Sequence, residues 1–116
     1  MVLALVDDLM FRSKIKSTAT HLGVRVSFVG SRDAALAAMQ SEVPSLVVLD
    51  LNNARADPLG TVAAIKRDNA LAPISVVGFV SHVDVATISA AKAAGIDEVL
   101  ARSAFAMQLP DILAGR

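Results

Sequence analysis

The sequence predicts an α/β protein: a parallel sheet covered by helices on both faces. Five short apolar runs, at 2–6, 25–29, 46–49, 74–79 and 98–101, recur along the 116 residues. Most lack the polar alternation of a half-solvated strand, which is the pattern of strands buried on both faces of a parallel sheet. Longer segments of helical period lie between them, and Gly, Ser, Asp and Pro mark the junctions.

The first run ends in Asp7-Asp8. Phe11, Ile15, Ala19 and Leu22 then repeat at a spacing near four, the inner face of a helix that Gly23 stops. After the run at 25–29, Ser31 is placed to cap a helix over 32–42 with Leu36 and Met39 on its buried side. The central run at 46–49 leads directly into Asp50. Asp57-Pro58 reads as a cap followed by proline in the first turn, where the missing N–H costs little. Leu59, Val62 and Ala63 form the inner stripe of that third helix. Beyond the run at 74–79, Asp84 caps 85–94, with Val85, Ile88 and Ala91 inward and Gly95 as the stop. The run at 98–101 is the last strand, and 104–114, with Pro110 inside it, is the last helix. Units in this order, joined by right-handed crossovers, predict a flavodoxin-like five-stranded parallel sheet of order 2-1-3-4-5. No linker or low-complexity run divides the chain, so residues 1–116 are expected to form one domain.

Composition narrows the function. Eleven basic and eleven acidic side chains cancel, which argues against a nucleic-acid or anionic-membrane surface. Without cysteine there is no disulfide framework, thiolate metal site or thiol nucleophile. The apolar start is too short for a signal peptide or membrane span, so a soluble, cytoplasmic domain is expected. No GxGxxG or Walker A sequence occurs, and the position after the first strand is doubly anionic where a flavin or dinucleotide phosphate would need free N–H groups. His21 and His82 sit at the ends of predicted helices and are read as surface residues rather than ligands.

In the order 2-1-3-4-5 the first and third strands are neighbours, and their carboxyl ends form the ligand edge of the sheet. Asp7, Asp8 and Asp50 should therefore converge there. Singly, Asp8 fits a helix cap and Asp50 a turn. Together they repel one another, and a hard divalent cation such as Mg²⁺ would relieve that repulsion.

Three stretches carry a resemblance to a known family: "LVDD" closing the first strand, "LVVLD" closing the third, and "KAAGIDEVLARSAF" near the C-terminus. The last is similar to an "AGADDYLxKPF" passage, and together they resemble the receiver domain of bacterial two-component response regulators. The resemblance implies that Asp50 accepts a phosphoryl group from a histidine kinase or phosphotransfer protein, with Mg²⁺ held by Asp7, Asp8 and Asp50. It also implies a downstream protein partner docking on the side formed by helix 4, strand 5 and helix 5. Alanines 86, 90, 93 and 94 there could allow a homodimer.

The sequence departs from that pattern at several positions. Arg102 stands where the family has lysine; it keeps the charge, but its planar head suits a bidentate role, in which it could form a salt bridge with Asp50 and occupy the pocket itself. Gly78 stands where a Ser or Thr hydroxyl binds a phosphoryl oxygen, and Ser81 could replace it only if the loop folds back. Val99 takes the place of the switching aromatic, Ser103 that of the proline after the lysine, and Asn52-Asn53 that of a Met-Pro pair. Three readings follow. One is an atypical receiver phosphorylated at Asp50 that signals through a partner chain. A second is a pseudo-receiver, a binding module with the receiver fold whose acidic pocket is vestigial, metal-binding only or bridged by Arg102. The third, a small phosphatase, lacks the Asp-x-Asp-x-Thr run it would need.

Overall fold

Five parallel strands, hydrogen-bonded in the order β2-β1-β3-β4-β5, make the central sheet: β1 (Val2–Leu5), β2 (Val26–Phe28), β3 (Leu46–Asp50), β4 (Ser75–Val80) and β5 (Glu98–Ala101). The structure is a computed structural model that describes residues 1–81 and 84–115. Helices α1 (Leu9–Leu22), α2 (Arg32–Ser41), α3 (Pro58–Arg67), α4 (Val85–Ala94) and α5 (Arg102–Ala114) form the crossovers, with a short 3₁₀ turn at Ala54–Ala56. The order and the parallel sense are those the sequence predicts.

Alternation along the strands sends side chains to two separate cores. Val2, Ala4, Leu46, Val48, Val77 and Phe79 meet α1 and α5 through Ile15, Ala19, Phe105 and Leu109. Leu3, Leu5, Val47, Leu49 and Val76 meet α2, α3 and α4 through Met39, Val62, Ile65 and Ala91. All five residues of β3 are buried, Asp50 included, at 8% exposure.

Caps predicted from sequence form as expected. The carboxylate of Asp8 accepts the Phe11 N–H, Ser31 Oγ that of Ala34, Asp57 that of Gly60, and Asp84 that of Ala86. Gly23 and Gly95 close α1 and α4 in the left-handed region. Three expectations need correction. Val85, read as inward, is 80% exposed, because it is the first residue of α4 and precedes the turn that reaches the sheet. The last helix starts at Arg102, two residues before the predicted start, so the arginine belongs to its first turn. In the third helix Thr61 and Ile65 share the buried stripe with Val62, while Leu59 and Ala63 are only half-buried. His82 lies outside the described residues; His21 is exposed in the last turn of α1.

Candidate functional site

Asp50 is the last residue of β3, and strand alternation puts its side chain on the α1/α5 side, after Leu46 and Val48. The backbone then turns: Leu51 N–H donates to Phe79 O at 3.0 Å, and Asn53 N–H to Asp50 O at 3.1 Å. Asn52 N–H donates to Asp50 Oδ1 at 3.0 Å. Burial pushes the Asp50 carboxyl above its ordinary pKa. The Asn52 N–H and the Arg102 guanidinium oppose that rise, and the charges of Asp8 and Asp7 add to it.

Arg102 reaches the same edge from the start of α5, but its ion-pair partner is Asp8 rather than Asp50. Asp8 sits at the N-cap of α1, so Oδ1 holds the Phe11 N–H at 3.1 Å while Oδ2 takes Arg102 Nη2. The Phe11 N–H and the guanidinium together hold the Asp8 carboxyl below its ordinary pKa. The guanidinium carbon stands 4.3 Å over the Phe11 ring, and Nη1 lies 3.4 Å from Ser81 Oγ. Phe11 in turn stacks on Phe79 at 5.0 Å, and Phe79 on Phe105 at 4.5 Å. Aromatic residues from α1, β4 and α5 thus make a floor under the arginine, a cation–π contact of about 0.5–1 kcal/mol.

The β3–α3 and β4–α4 loops are tied by Asn52, whose Oδ1 accepts the Ser81 N–H at 2.6 Å. This brings the Ser81 hydroxyl to Arg102, the approach that the sequence made conditional on loop geometry. Gly78 pairs in register with Leu49 on one side and Val99 on the other, so two of the positions at which the sequence departs from the resembled pattern are neighbours. A Cβ at Gly78 would meet Leu51 Cγ and Cδ1 at 3.0 Å. Leu51 fills the space beside that glycine.

Asp7 and Asp8 lie close enough to Asp50 to raise its pKa. Among the described residues, however, no three His, Cys, Asp or Glu side chains are grouped to hold a metal ion. Both Asp8 oxygens are already engaged, one of them by a cation, and one Asp50 oxygen holds Asn52 N–H. The arrangement present here does not fit a resident divalent ion. Sequence reasoning missed Phe11 as the arginine's platform and Asn52 as the inter-loop tie. Three of the four phenylalanines meeting at one place had no signal in spacing alone.

No family model matches the sequence, and no curated protein does. Solved structures do match along nearly the whole chain. A response regulator from Hahella chejuensis superposes with a TM-score of 0.87 at 20% identity, covering 97% of this chain and 91% of that one. The phosphorylated cyanobacterial phytochrome response regulator RcpA gives 0.80 at 24% identity, over 98% and 88%. The Mn²⁺-bound response regulator Rcp1 gives 0.82 at 18%, over 96% and 89%. The fold is that of response-regulator receiver domains.

Proposed function

We propose that the protein is an atypical response-regulator receiver that accepts a phosphoryl group on Asp50 and signals by binding another protein. It is a signalling domain rather than a dedicated enzyme. The supporting observation is the place of Asp50, a buried carboxylate at the carboxyl end of the central strand with Arg102 near it and the Ser81 hydroxyl on Arg102. In the transfer, an Asp50 oxygen attacks phosphorus while the bond from phosphorus to the donor's leaving atom breaks; with an acyl phosphate the donor departs as a carboxylate. Arg102 supplies the positive charge beside the incoming oxygens, and the Ser81 hydroxyl is the nearby donor in place of the one Gly78 lacks. The donor in the cell is a histidine kinase or phosphotransfer protein, acting in the cytoplasm. The output partner docks on the α4–β5–α5 side, where Val85 and Met107 are 80% and 83% exposed. The same side could pair two copies of the chain, which sedimentation would detect as a dimer.

The test is incubation with acetyl phosphate, with and without Mg²⁺, followed by intact mass measurement. One added phosphoryl group is expected, and none in Asp50→Asn. Labelling that persists in Asp50→Asn would sink the assignment. A second reading, a partner-binding module that is never phosphorylated, is favoured by the Leu51 side chain packed beside Gly78. Absence of labelling in folded protein would establish it over the first.

A further inference from the structure

The acidic edge should be short of positive charge, with Asp7 and Asp8 after β1 facing Asp50 at the end of β3. Clustered carboxylates need a counter-charge, and a divalent cation is the usual solution. In this chain a side chain already stands there. Arg102 leaves the first turn of α5 and is held on three sides: by Asp8 Oδ2, by Ser81 Oγ at 3.4 Å, and by the Phe11 ring at 4.3 Å. Two of these contacts come from α1, its cap residue Asp8 and its Phe11 ring, and the third from the β4–α4 loop. Its acidic partner is equally committed, since the other Asp8 oxygen caps α1 through the Phe11 N–H.

We infer that Arg102 is the resident cation of this edge and that it excludes a divalent metal ion. For a metal to be held by Asp8, its Oδ2 would have to leave the guanidinium, and an ion on Asp7 and Asp50 alone would sit beside the positive charge of Arg102. Lysine, a single strongly hydrated point charge, could not span Asp8 and Ser81 while lying flat on Phe11 as the planar fork does. The site is therefore built to receive an oxyanion directly on a guanidinium. This inference goes beyond the assignment of Asp50 as acceptor and does not depend on it, because it concerns the cation and not the acyl phosphate.

The experiment is a Mn²⁺ titration of the full chain, with free Mn²⁺ read by electron paramagnetic resonance and folding checked by circular dichroism. The wild type is expected to show no saturable binding. Arg102→Ala should bind one Mn²⁺ per chain saturably, with half-saturation at least about tenfold below the highest concentration at which the wild type stays unsaturated, since removing a unit charge a few ångströms away relieves the repulsion. Adding Asp8→Asn to that variant should abolish the gain. If Arg102→Ala does not fold, Arg102→Lys carries the test, because it frees the fork contacts while keeping a charge; a smaller gain is expected there. Saturable Mn²⁺ binding by the wild type that is lost in Asp8→Asn overturns the inference. So does a failure of every folded Arg102 variant to gain affinity. Mass labelling reads the acceptor and Mn²⁺ titration reads the cation, so failure of one is distinguishable from failure of the other.

Discussion

Asp50 and Asp8 show how two carboxylates on one edge respond to pH with opposite sign. Burial raises the Asp50 pKa in the folded protein, so the group favours folding below its unfolded value and loses that contribution as pH rises through the folded one. At neutral pH the buried charge is a cost. Asp50→Asn should then stabilise the protein by about 1 kcal/mol at neutral pH, or about 4 °C in Tm, and the gain should vanish in acid below the ordinary carboxylate range. Thermal melts of both proteins across pH check this; an equal gain at all pH values would contradict it. Asp8 works the other way. Its lowered pKa contributes stability above the unfolded value, lost as pH falls through the folded one. Gly78 is a steric matter: a new Cβ would press on Leu51 at 3.0 Å. Gly78→Ala should cost about 1 kcal/mol. Urea denaturation should show that cost shrinking in a Leu51→Ala background.

Between elements, the site is assembled by caps and loop ties rather than by regular structure. Asp57 has φ of 50°, accepts the Gly60 N–H at 3.1 Å and pairs with Arg32 at 3.1 Å. Asp57→Ala removes the cap and keeps the strained φ, so a loss of about 1–2 kcal/mol is expected in chemical denaturation. Asp57→Gly should lose less, because glycine relieves the backbone. A Cβ at Gly60 would fall 2.1 Å from the Asp57 carboxylate, so a larger residue there would push the capping side chain aside. Asn52 is the corresponding tie at the ligand edge. Its N–H holds the Asp50 carboxylate and its side chain holds the Ser81 N–H, so one residue ties the end of β3 to the opposite loop. Asn52→Ala should raise amide hydrogen exchange at Ser81 while leaving the β3 amides protected. Unchanged exchange at Ser81 would count against the tie.

Across the whole molecule, the sheet separates two cores, and the α1/α5 core reaches up to the site. Phe105 and Phe79 are fully buried and stack at 4.5 Å, and Phe79 carries Phe11, on which Arg102 rests. Phe105→Ala should cost about 3–5 kcal/mol, a large part of the stability of a domain this size. In dichroism-monitored urea titration the midpoint should fall accordingly. Where the variant remains folded, the Arg102 contacts should loosen with it. No helix among the described residues is long and apolar enough to cross a membrane.

The sequence by itself determined the order of elements, the caps and the two carboxyl ends that deliver Asp8 and Asp50. Those features rest on local rules: apolar runs, helical spacing, and Asp, Ser and Gly at the turns. Helix ends and facing were less legible at Val85 and Arg102, where packing against the sheet sets which turn is covered. The choice of Arg102's partner was decided only by tertiary structure. Asp8 and Arg102 are far apart in the chain, with a side-chain contact set by how α1 and α5 lie on β4. The carboxylates offered the guanidinium two possible partners. The Phe11 platform placed it over Asp8, whose half-buried carboxylate is cheaper to pair than the more deeply buried carboxylate of Asp50.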